Sequence, residues 1–407
     1  MISVSEAEKI ILSHTRDYGT EQVPFQAALG RVLAQDIRTD RDLPPYDRVT
    51  MDGIAIRWAD WAAGCRTFQI AATQAAGDAP QEFVIRHSSW PDTVQPCLEV
   101  MTGAARSPDV DTVIPYEHLR IVDGAARLLD VPMRQGQNIH RQGTDRRQGE
   151  VVASAGRIIG PTEISMAASV GLSELWVKKL PRVVVLSSGD ELVDVTDSPL
   201  PHQIRRSNNY AIQAALRPYG IEATLRHLPD HLDVVTQEIA RCQSDFDVLL
   251  LSGGVSMGKF DYVPQALEAC GVARHFHKVR QRPGKPFWFG TYGERGVVFA
   301  LPGNPVSTFL CLYRYFLPWL EVSLGLPPAP PLFAVLERDL RFEPPLTYFL
   351  QVKLEHDNIA LIRAVPVEGR GSGDFANLLD ADGFLELPAE QTEFVEGDVF
   401  QAFRFRG

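Results

Sequence analysis

The sequence has little cysteine, and none of it stands in a spacing that binds metal. The five cysteines are an odd number and no two form a Cys-x-x-Cys pattern; they are Cys65, Cys97, Cys242, Cys270 and Cys311. This scatter argues against a structural zinc site and against a disulfide framework. We therefore expect reduced thiols, most of them small core residues, in a cytoplasmic protein.

Long apolar runs and excess positive charge are also missing. The longest apolar stretch, around residues 309–324, is interrupted by Arg314, Pro318 and Glu321, unlike a membrane-spanning helix. The first residues predict an amphipathic helix without a leader pattern. The net charge of −11 at pH 7 disfavours binding to nucleic acid or to anionic membranes. Any bound anion must therefore be held by a local cluster of cations.

Several common catalytic motifs are absent as well. The chain has no nucleophile elbow, no Ser-His-Asp spacing, no HExxH, no Walker A lysine motif and no GxGxxG. His140, His202 and His275 are isolated, as surface or core histidines usually are. The enzyme classes that depend on these motifs are thus not supported.

Three glycine-rich turns lie close together in the sequence. They are Ser252–Gly258, Arg282–Pro286 and Leu301–Ser307. The first follows the apolar run 247–251 and the third follows 297–300, as expected where buried parallel strands end in loops. Open α/β sheets bind ligands at that edge, and glycines let backbone N–H groups approach an anion. We predict a phosphorylated or oxyanionic ligand there.

The pattern of helices and strands predicts a multidomain α/β protein. Alternating strands and helices over 180–326 are typical of a doubly wound α/β/α domain. Short β segments predict a small C-terminal β-barrel over 327–407. Before residue 180 we expect a mixed α/β domain, 1–53 and 140–179, with an inserted β subdomain at 54–139. Helical periodicity in the mixed domain predicts helices at Ser5–Asp17, Phe25–Ala34 and Thr162–Val170.

Acidic residues follow three of the predicted strands. They are the pair Asp190-Glu191, then Asp230 after Pro229, and Asp261. Carboxylates that converge beside a phosphate-binding loop suit Mg²⁺, which prefers a few carboxylates with phosphate oxygens and water. The alternative is helix N-caps and first-turn acids, which would account for about half of such residues. Their shared sheet edge favours a metal site.

A cluster of cations accompanies the second glycine turn. Lys278, Arg282 and Lys285 lie within eight positions of one another, with proline and glycine interleaved. Such a rigid turn holds an arginine fork and a lysine charge at a fixed separation, which suits a tetrahedral oxyanion or a phosphate. The alternative is a solvated basic loop, but this does not explain the interleaved turn residues.

Three further segments are weak signals by themselves. Asp52-Gly53 has the form of a hairpin turn, Met101-Thr102-Gly103 that of a strand end, and Gly371-Ser372-Gly373-Asp374 that of a flexible loop. The residues alone therefore support a Mg²⁺-assisted enzyme, or a binding protein, for a phosphorylated ligand that contains an oxyanion. They do not identify the ligand.

Taken in order, these motifs resemble a known family. They are Pro44-Pro45-Tyr46-Asp47 with Met51-Asp52-Gly53, Met101-Thr102-Gly103-Ala104, Ser188-Gly189-Asp190-Glu191-Leu192, Ser252-Gly253-Gly254-Val255-Ser256, Arg282-Pro283-Gly284-Lys285-Pro286 and Leu301-Pro302-Gly303-Asn304-Pro305-Val306-Ser307. This series closely resembles the molybdopterin molybdenumtransferases, the MoeA-type family that includes the E domain of gephyrin.

The resemblance implies an elongated homodimer with four domains per chain. Its cleft would combine the α/β domain of one subunit with the N-terminal β subdomain of the other. The implied reaction uses Mg²⁺ and molybdate, takes adenylylated molybdopterin, releases AMP and leaves molybdenum on the dithiolene sulfurs. This step would complete molybdenum cofactor biosynthesis in the cytoplasm, with molybdopterin adenylyltransferase as a candidate partner.

Carried over position by position, the resemblance also assigns site residues. The catalytic set comprises Asp52, Thr102, Glu191, Asp230, Asp261 and Lys278. Within it, Glu191, Asp230 and Asp261 would hold the Mg²⁺. The substrate-binding set comprises Gly253, Gly254, Ser256, Arg282, Lys285, Pro286, Gly303, Asn304, Ser307 and Ser372. Molybdate itself is expected at Arg282, Lys285, Pro286, Ser307 and Ser372.

Two departures from the family pattern bear on function. Residues 48–50, Arg-Val-Thr, replace small polar residues next to the cleft. Gln351 stands where the family commonly has an arginine that helps to bind molybdate, and an oxyanion site without that charge should be weaker. Lys353, two positions away on the same face of a strand, is one candidate substitute.

Two other functions stay open. One is a non-catalytic paralogue that binds the pterin, molybdate or a partner protein, which Gln351 favours. The other is a different Mg²⁺-dependent nucleotide hydrolase, which the N-terminal and C-terminal domains disfavour. The sequence does not distinguish molybdate from tungstate as the oxyanion.

Overall fold

The structure is a computed structural model that describes residues 1–82, 94–256, 261–358, 361–367, 369 and 371–406. Met257 and Gly258 of the first glycine turn lie outside the described residues. The chain divides into two compact units: a larger one of residues 1–35, 155–164 and 174–407, and a smaller one of residues 36–154 and 165–173. None of the helices described combines the length and apolar character that a membrane span requires.

Helices occur throughout the described chain. They are α1 (Val4–Leu12), α2 (Trp58–Ala62), α3 (Pro161–Ser169), α4 (Asn208–Leu216), α5 (Leu232–Asp245), α6 (Val263–Ala269), α7 (Pro305–Cys311) and α8 (Leu317–Ser323). A π-helical turn, Leu312–Phe316, joins α7 to α8, so that residues 305–323 form one continuous helical rod. At the start of α1, Ser3 and Glu6 exchange side-chain and backbone hydrogen bonds in a capping box.

Strands make up most of the remaining regular structure. The smaller unit contains β2 (Ile37–Arg38), β3 (Arg48–Val49), β4 (Gly53–Ile56), β5 (Thr67–Gln74), β6 (Val94–Val100), β7 (Thr112–Pro115), β8 (Leu119–Val122), β9 (Ala125–Leu128), β10 (Ile139–His140) and β11 (Val151–Ala153). The larger unit contains β1 (Thr20–Pro24), β12 (Glu174–Lys178), β13 (Val183–Ser188), β14 (Leu192–Val193), β15 (Ile204–Arg205), β16 (Thr224–Leu228), β17 (Val248–Ser252), β18 (Ala273–His277), β19 (Gln281–Arg282), β20 (Trp288–Tyr292), β21 (Gly296–Leu301), β22 (Leu332–Leu336), β23 (Leu340–Arg341), β24 (Thr347–His356), β25 (Ile362–Pro366), β26 (Gly383–Leu387), β27 (Glu393–Phe394) and β28 (Val399–Arg404).

A six-stranded sheet in the order β16-β13-β17-β21-β20-β18 forms the centre of the larger unit. The first four strands are parallel, and β20 runs against both of its neighbours. Val183 and Val185 pack into the same core as residues of α1, α4 and the helical rod, whereas Val184 and Leu186 pack into the core that contains α5 and α6. Helices therefore cover both faces, which confirms the predicted doubly wound α/β/α domain.

The C-terminal strands close into a small barrel. β24, β25, β22, β28 and β26 are neighbours in that order, and β26 also pairs with β24. Leu336, Val352 and Leu385 are among the buried side chains of its interior. β19, which precedes the cationic turn, pairs in parallel with β24. The predicted C-terminal β-barrel is confirmed.

The smaller unit is built on its own six-stranded sheet, β7-β4-β6-β5-β9-β8. Ile54, Phe68 and Ile114 lie in one of its cores, and Leu98 and Val113 lie in a second. The pairs β2–β11 and β3–β10 complete this unit. A β-rich insertion in the N-terminal region thus agrees with the fold class, while the domain boundaries at 53/54, 139/140, 179/180 and 326/327 stay predictions.

The helix predicted at Phe25–Ala34 is wrong. The structure has a 3₁₀ turn at Phe25–Ala27, after which Gly30 adopts a φ of +79°. That left-handed conformation ends helical winding. Val32 and Leu33 then form β-bridges with Ile158 and Val177, so their apolar spacing reflects burial in extended backbone.

Candidate functional site

The first and third glycine turns lie against each other at the carboxyl ends of β13, β17 and β21. Gly253 has a φ of +95°, and a β-carbon there would lie 2.7 Å from the Ser188 carbonyl oxygen, so no larger residue fits. The Gly253 N–H donates to the Leu301 carbonyl at 3.3 Å. A β-carbon on Gly303 would lie 3.3 Å from Gly253 Cα. The two turns form one backbone surface at the sheet edge where open α/β sheets bind ligands.

A cavity of about 590 Å³ opens at this edge. Its volume is that of a small-molecule site. The predicted site residues among those that line it are Glu191, Gly253, Gly254, Ser256, Asp261, Arg282, Lys285, Pro286, Gly303, Asn304, Ser307 and Ser372. Backbone turns, two carboxylates, an arginine and a lysine therefore face one volume.

The cationic turn Arg282–Pro286 forms part of the cavity wall. It continues from β19, and the Arg282–Pro283 peptide bond is cis. The Arg282 and Lys285 side chains are exposed, and the Arg282 guanidinium carbon lies 5.9 Å from the centroid of the Phe342 ring. The turn thus presents two positive charges beside the glycine turns.

The loop that contains Ser372 is held on the third glycine turn. The Asn304 side-chain amide donates to the Ser372 hydroxyl at 2.8 Å, and the Val306 N–H donates to the Ser372 carbonyl at 3.3 Å. Ser307, one residue further along α7, is buried at the cavity wall. These contacts bring the Ser372 hydroxyl of the C-terminal region next to the cationic turn. From the sequence alone, the segment that contains Ser372 was interpreted as a flexible loop.

Two of the three predicted metal ligands line the cavity, and the third contacts a residue that lines it. Glu191 and Asp261 line it. Asp230 is not among the described lining residues, but its Oδ1 accepts a hydrogen bond at 3.1 Å from Ser188, whose side chain does line the cavity. The Asp230 N–H also donates to Asp190 Oδ1 at 3.1 Å. The helices that follow are capped at His231 and Tyr262, so Asp230 and Asp261 are not their N-cap residues.

This donor set has the chemistry of a magnesium site that substrate completes. Among the described residues, no group of three or more His, Cys, Asp or Glu side chains could hold a metal ion by itself. Mg²⁺ is usually bound by one or two carboxylates together with phosphate oxygens and water. Glu191 and Asp261 offer such hard oxygen donors beside the glycine turns. The assignment of Glu191, Asp230 and Asp261 as ligands stays a prediction.

Lys278 differs from the other predicted cations in its position relative to the cavity. Its backbone has a φ of +77°, its N–H donates to the Phe287 carbonyl at 2.8 Å, and its carbonyl accepts the Ile2 N–H at 3.2 Å. Its half-buried side chain is not among the described side chains at the cavity wall. Its catalytic role stays a prediction.

Asp52 and Thr102 belong to the smaller unit, where they contact each other. The Thr102 N–H donates to Asp52 Oδ1 at 2.6 Å, and both residues are exposed. This backbone hydrogen bond holds the pKa of Asp52 below its usual range, because it favours the ionised carboxylate. Asp52 is therefore a solvent-facing carboxylate oriented by the Met101–Gly103 turn.

Sequence reasoning missed Asn208, which joins the two glycine turns. Its side-chain nitrogen lies 2.7 Å from the Gly303 carbonyl oxygen, 2.9 Å from the Ser252 hydroxyl and 3.2 Å from the Thr308 hydroxyl. Asn208 also lines the cavity. The sequence signal was only that of a helix start after Ser207, which predicts the beginning of α4 and not contacts with turns far along the chain.

His277 is a second supporting residue that the sequence did not indicate. Burial lowers the pKa of His277, so its ring is neutral at pH 7. Its Nε2 lies 2.9 Å from the Val255 carbonyl oxygen, which can only accept, so Nε2 carries the proton. This hydrogen bond holds the first glycine turn against β18.

A second cavity, of about 370 Å³, shares Arg282, Pro283 and Ser372 with the first. Gln351 lines it and accepts a hydrogen bond from the Asn377 amide at 3.4 Å. Lys353, the proposed substitute for the family arginine, instead pairs with Glu355 at 2.8 Å and lines neither cavity among the described residues. Lys353 shares the outward face of β24 with Gln351, and on that face its ammonium group pairs with Glu355.

Comparisons with known proteins cover almost the whole chain. Three family models match: the MoeA N-terminal region (domain I and II) at residues 2–171, a probable molybdopterin binding domain at 184–322, and the MoeA C-terminal region (domain IV) at 334–405. A molybdopterin molybdenumtransferase of Synechocystis is 41% identical over 98% of this chain and 99% of its own length.

Two further comparisons reach more distant proteins. Gephyrin of Dictyostelium discoideum is 30% identical over 79% of this chain and 49% of its own length. A crystal structure of the molybdopterin biosynthesis MoeA protein of Pyrococcus horikoshii, 27% identical, covers 100% of both chains with a TM-score of 0.84.

Proposed function

We propose a reaction for this chain from its family, because it belongs to the MoeA-type molybdopterin molybdenumtransferases and is an enzyme of molybdenum cofactor biosynthesis. In the proposed reaction it inserts molybdenum from molybdate into adenylylated molybdopterin and releases AMP. The observation that carries this proposal is one cavity that joins two glycine turns, the carboxylates of Glu191 and Asp261, and the cations Arg282 and Lys285. The reaction needs these three kinds of group in one place.

We assign the glycine turns to the pterin and phosphates of the substrate. Backbone N–H groups at Gly254 and Gly303 can approach an anion closely, since no side chain stands in the way, while Gly253, whose N–H donates to the Leu301 carbonyl, lets the two turns pack together. Ser256 and Asn304 add polar side chains at the same wall. Asn208 and His277 keep this surface in place through their hydrogen bonds.

The carboxylates are proposed to hold Mg²⁺. Glu191 and Asp261 would be ligands, and Asp230 would act with them from its position behind Ser188. When bound, Mg²⁺ supplies Lewis-acid polarisation of the phosphoanhydride between molybdopterin and AMP. The protein's own contribution is orientation, because Ser188 and the Asp190 backbone hold the Asp230 carboxylate.

Molybdate is proposed to bind as substrate at the cationic turn. Arg282 and Lys285 supply charge-assisted hydrogen bonds, and Ser307, Ser372 and Pro286 border the same place. Lys278, whose backbone N–H donates to the Phe287 carbonyl just after the turn, would add positive charge near it. Gln351 faces the second cavity beside Arg282 as a neutral hydrogen-bonding group, so molybdate would be held by fewer charges than in a relative with arginine there.

The test is AMP release from adenylylated molybdopterin with Mg²⁺ and a molybdate titration, together with an assay of molybdenum retained on the pterin. Asp261→Asn should lower AMP release about a hundredfold, since a metal contributes several kcal/mol to the transition state. Asp233→Asn, an exposed acid in the first turn of α5, is the matched control. Equal rates for the two variants would remove Asp261 from the metal site.

A second candidate function is that of a non-catalytic binding protein, which the neutral Gln351 at the second cavity favours. Binding of adenylylated molybdopterin without AMP release would support it and refute the transferase.

Lys285→Ala should raise the molybdate concentration needed for half-maximal rate, with Lys179→Ala, an exposed lysine of the same unit, as control. Repeating the titration with tungstate identifies the preferred oxyanion.

We further propose a homodimer in which Asp52 and Thr102 of one copy complete the cleft of the other. Their exposure, with Asp52 ionised and oriented, supports this role. Asp52→Ala and Asp261→Asn should each be nearly inactive alone. After subunit exchange half of the dimers would be mixed, each with one intact site, so a mixture should recover about a quarter of the wild-type activity. No recovery would place all the residues of a site in one chain.

The cellular setting is likewise a proposal. A cytoplasmic location is supported by five cysteines that are all free thiols. Molybdopterin adenylyltransferase is the proposed source of the substrate, because an adenylylated pterin must be made by an adenylyl-transfer reaction. Neither nucleic acid nor a membrane surface is proposed as a partner, given the net charge of −11.

A further inference from the structure

Gln281 is a fully buried polar residue at the start of the cationic turn, where it lines the cavity together with the turn. It is 0% exposed, and it precedes Arg282 in β19. A buried amide is costly unless its donor and acceptor atoms are hydrogen-bonded. An apolar side chain at position 281 would need no hydrogen-bond partners. The partners that the Gln281 amide does have therefore indicate its role.

The Gln281 amide connects the turn to the helical rod. Its Nε2 donates to the Pro283 carbonyl, inside the turn, at 3.1 Å. The same nitrogen lies 3.7 Å from Cys311 Sγ in α7. Its Oε1 accepts a short hydrogen bond from the Tyr315 hydroxyl in the π-helical turn. One side chain thus ties the backbone between Arg282 and Lys285 to two buried residues of the rod.

The turn is packed directly onto this amide. Gly284 has a φ of +86°, and a β-carbon there would lie 2.6 Å from Gln281 Nε2 and 3.0 Å from Cys311 Sγ. Only a glycine lets the backbone come so close. The tyrosine hydroxyl is in turn fixed, since Tyr315 is 2% exposed and its ring centroid lies 5.1 Å from that of Phe287.

We propose that Gln281 is a positioning residue that sets the separation of Arg282 and Lys285 for a tetrahedral oxyanion, with Tyr315 orienting its amide. This inference rests on the proposed function for the identity of that oxyanion as molybdate. A tetrahedral oxyanion is bound well only when the two cations are held at a matching distance, and a small misplacement of binding groups is costly. Gln281 also lines the cavity, but its amide nitrogen and oxygen are both hydrogen-bonded within the protein, so we assign it a role through the turn and not as a ligand of the anion.

The test replaces the amide with an apolar group of similar size. Gln281→Met should raise the molybdate KM about tenfold, equivalent to about 1.4 kcal/mol. The kcat at saturating molybdate and the KM for adenylylated molybdopterin should change less than about threefold. Tyr315→Phe should shift the molybdate KM in the same direction by less, because the amide keeps its bond to the Pro283 carbonyl.

Gln213→Met is the matched control, because the Gln213 amide also donates to a backbone carbonyl, that of Ala223, at 3.0 Å, but in α4 away from the turn. It should leave the molybdate KM unchanged. Circular dichroism melts show whether each variant is folded, and if Gln281→Met does not fold, Tyr315→Phe carries the test. A purely structural role would lower the melting temperature and leave the molybdate KM of folded protein unchanged, which would overturn the proposal.

Direct calorimetry with molybdate and with inorganic phosphate separates this inference from the proposed function. Weaker binding of either anion by Gln281→Met supports the inference. If the wild-type protein binds phosphate in a Gln281-dependent way but neither binds molybdate nor releases AMP, the proposed function fails while the inference stands. If the wild-type protein is active and Gln281→Met matches it in anion affinity and KM, the inference fails alone.

Discussion

Replacing Arg314 by methionine is expected to cost about 3 kcal/mol of the free energy of unfolding at pH 7.5. The Arg314 side chain is 4% exposed. Its Nη1 and Nη2 donate to the Glu8 carboxylate at 2.9 and 3.0 Å, and its Nε donates to Glu386 at 3.1 Å. The guanidinium carbon also lies 4.5 Å from the centroid of the Phe403 ring. Arg314 therefore links the helical rod to α1 and to the barrel strand β26.

The two carboxylates contribute unequally to this cost. Glu8 is 41% exposed, so water would replace its partner, and an exposed ion pair is worth only about 0.2–1 kcal/mol. Glu386 is 21% exposed, and loss of the partner of a buried charge costs about 3–5 kcal/mol. For Arg314→Met we expect the lower end of this range of energies, because the Glu386 carboxyl group can take up a proton instead of remaining charged.

The cost should depend on pH. Burial raises the pKa of Glu386, while the charge and hydrogen bond of Arg314 act in the opposite direction. Without Arg314 that pKa rises further. A carboxyl group with a raised pKa in the folded state favours folding below its unfolded pKa of about 4.3, and this contribution is lost as the pH rises through the folded pKa. The deficit of the variant should thus be small near pH 4.5 and largest near pH 7.5.

Urea titrations followed by circular dichroism measure the deficit, and hydrogen exchange of peptides from α1 and β26 locates it. Adding Glu386→Gln to Arg314→Met should recover at least half of the loss, since the unpaired charge is then gone. Arg341→Met is the control: Arg341 and its partner Glu343 are 69% and 73% exposed. A deficit below about 1 kcal/mol, or no recovery in the double variant, would refute the reasoning.

Three further changes have defined outcomes. Gly284→Ala should raise the molybdate KM in the AMP-release assay, because its β-carbon would meet the Gln281 amide at 2.6 Å; Gly293→Ala, with φ +52° and nothing within 4 Å, should not. Asp47→Asn should cost about 1–3 kcal/mol at pH 7. Burial alone would raise the pKa of Asp47, but hydrogen bonds from Gln142 and two arginines lower it by more, so thermal melts of variant and wild type should converge as the pH falls through that lowered pKa. Burial also lowers the pKa of His275, so wild-type stability should fall below about pH 6.5 and His275→Gln should lose less between pH 7 and 5.

The sheet edge could be predicted from the sequence because its signals are local. An apolar run followed by glycine and proline specifies a buried strand and its turn within a few residues, as at Val248–Ser252 and Gly296–Leu301. In a parallel sheet all such turns meet at one edge. The convergence of Glu191, after β13, and Asp261, after β17, on one cavity therefore follows from strand order. The position of Arg282 and Lys285 does not, because β19 pairs with β24 of the barrel.

The residues that hold the site in place could not be predicted in this way. Gln281 and Tyr315 are 34 positions apart, and Asn208 and Gly303 are 95 positions apart. Neither pair has a local pattern, since their contacts depend on how the rod and the turns pack. The false helix at Phe25–Ala34 has the same origin: apolar spacing records burial, and extended segments that form bridges can bury side chains at helical intervals.

The parallel pairing of β19 with β24 means that the C-terminal barrel helps to position the cationic turn. Arg282 stands opposite Tyr348, so the backbone that carries a proposed substrate-binding cation is registered on a strand from the C-terminal region. Replacing the barrel by that of a relative would then shift the position of Arg282, although every substituted residue lies outside the α/β region. The barrel and the cationic turn should consequently be transplanted together, and a chimera joined near residue 327 would need its native β24 to retain the wild-type geometry of the turn.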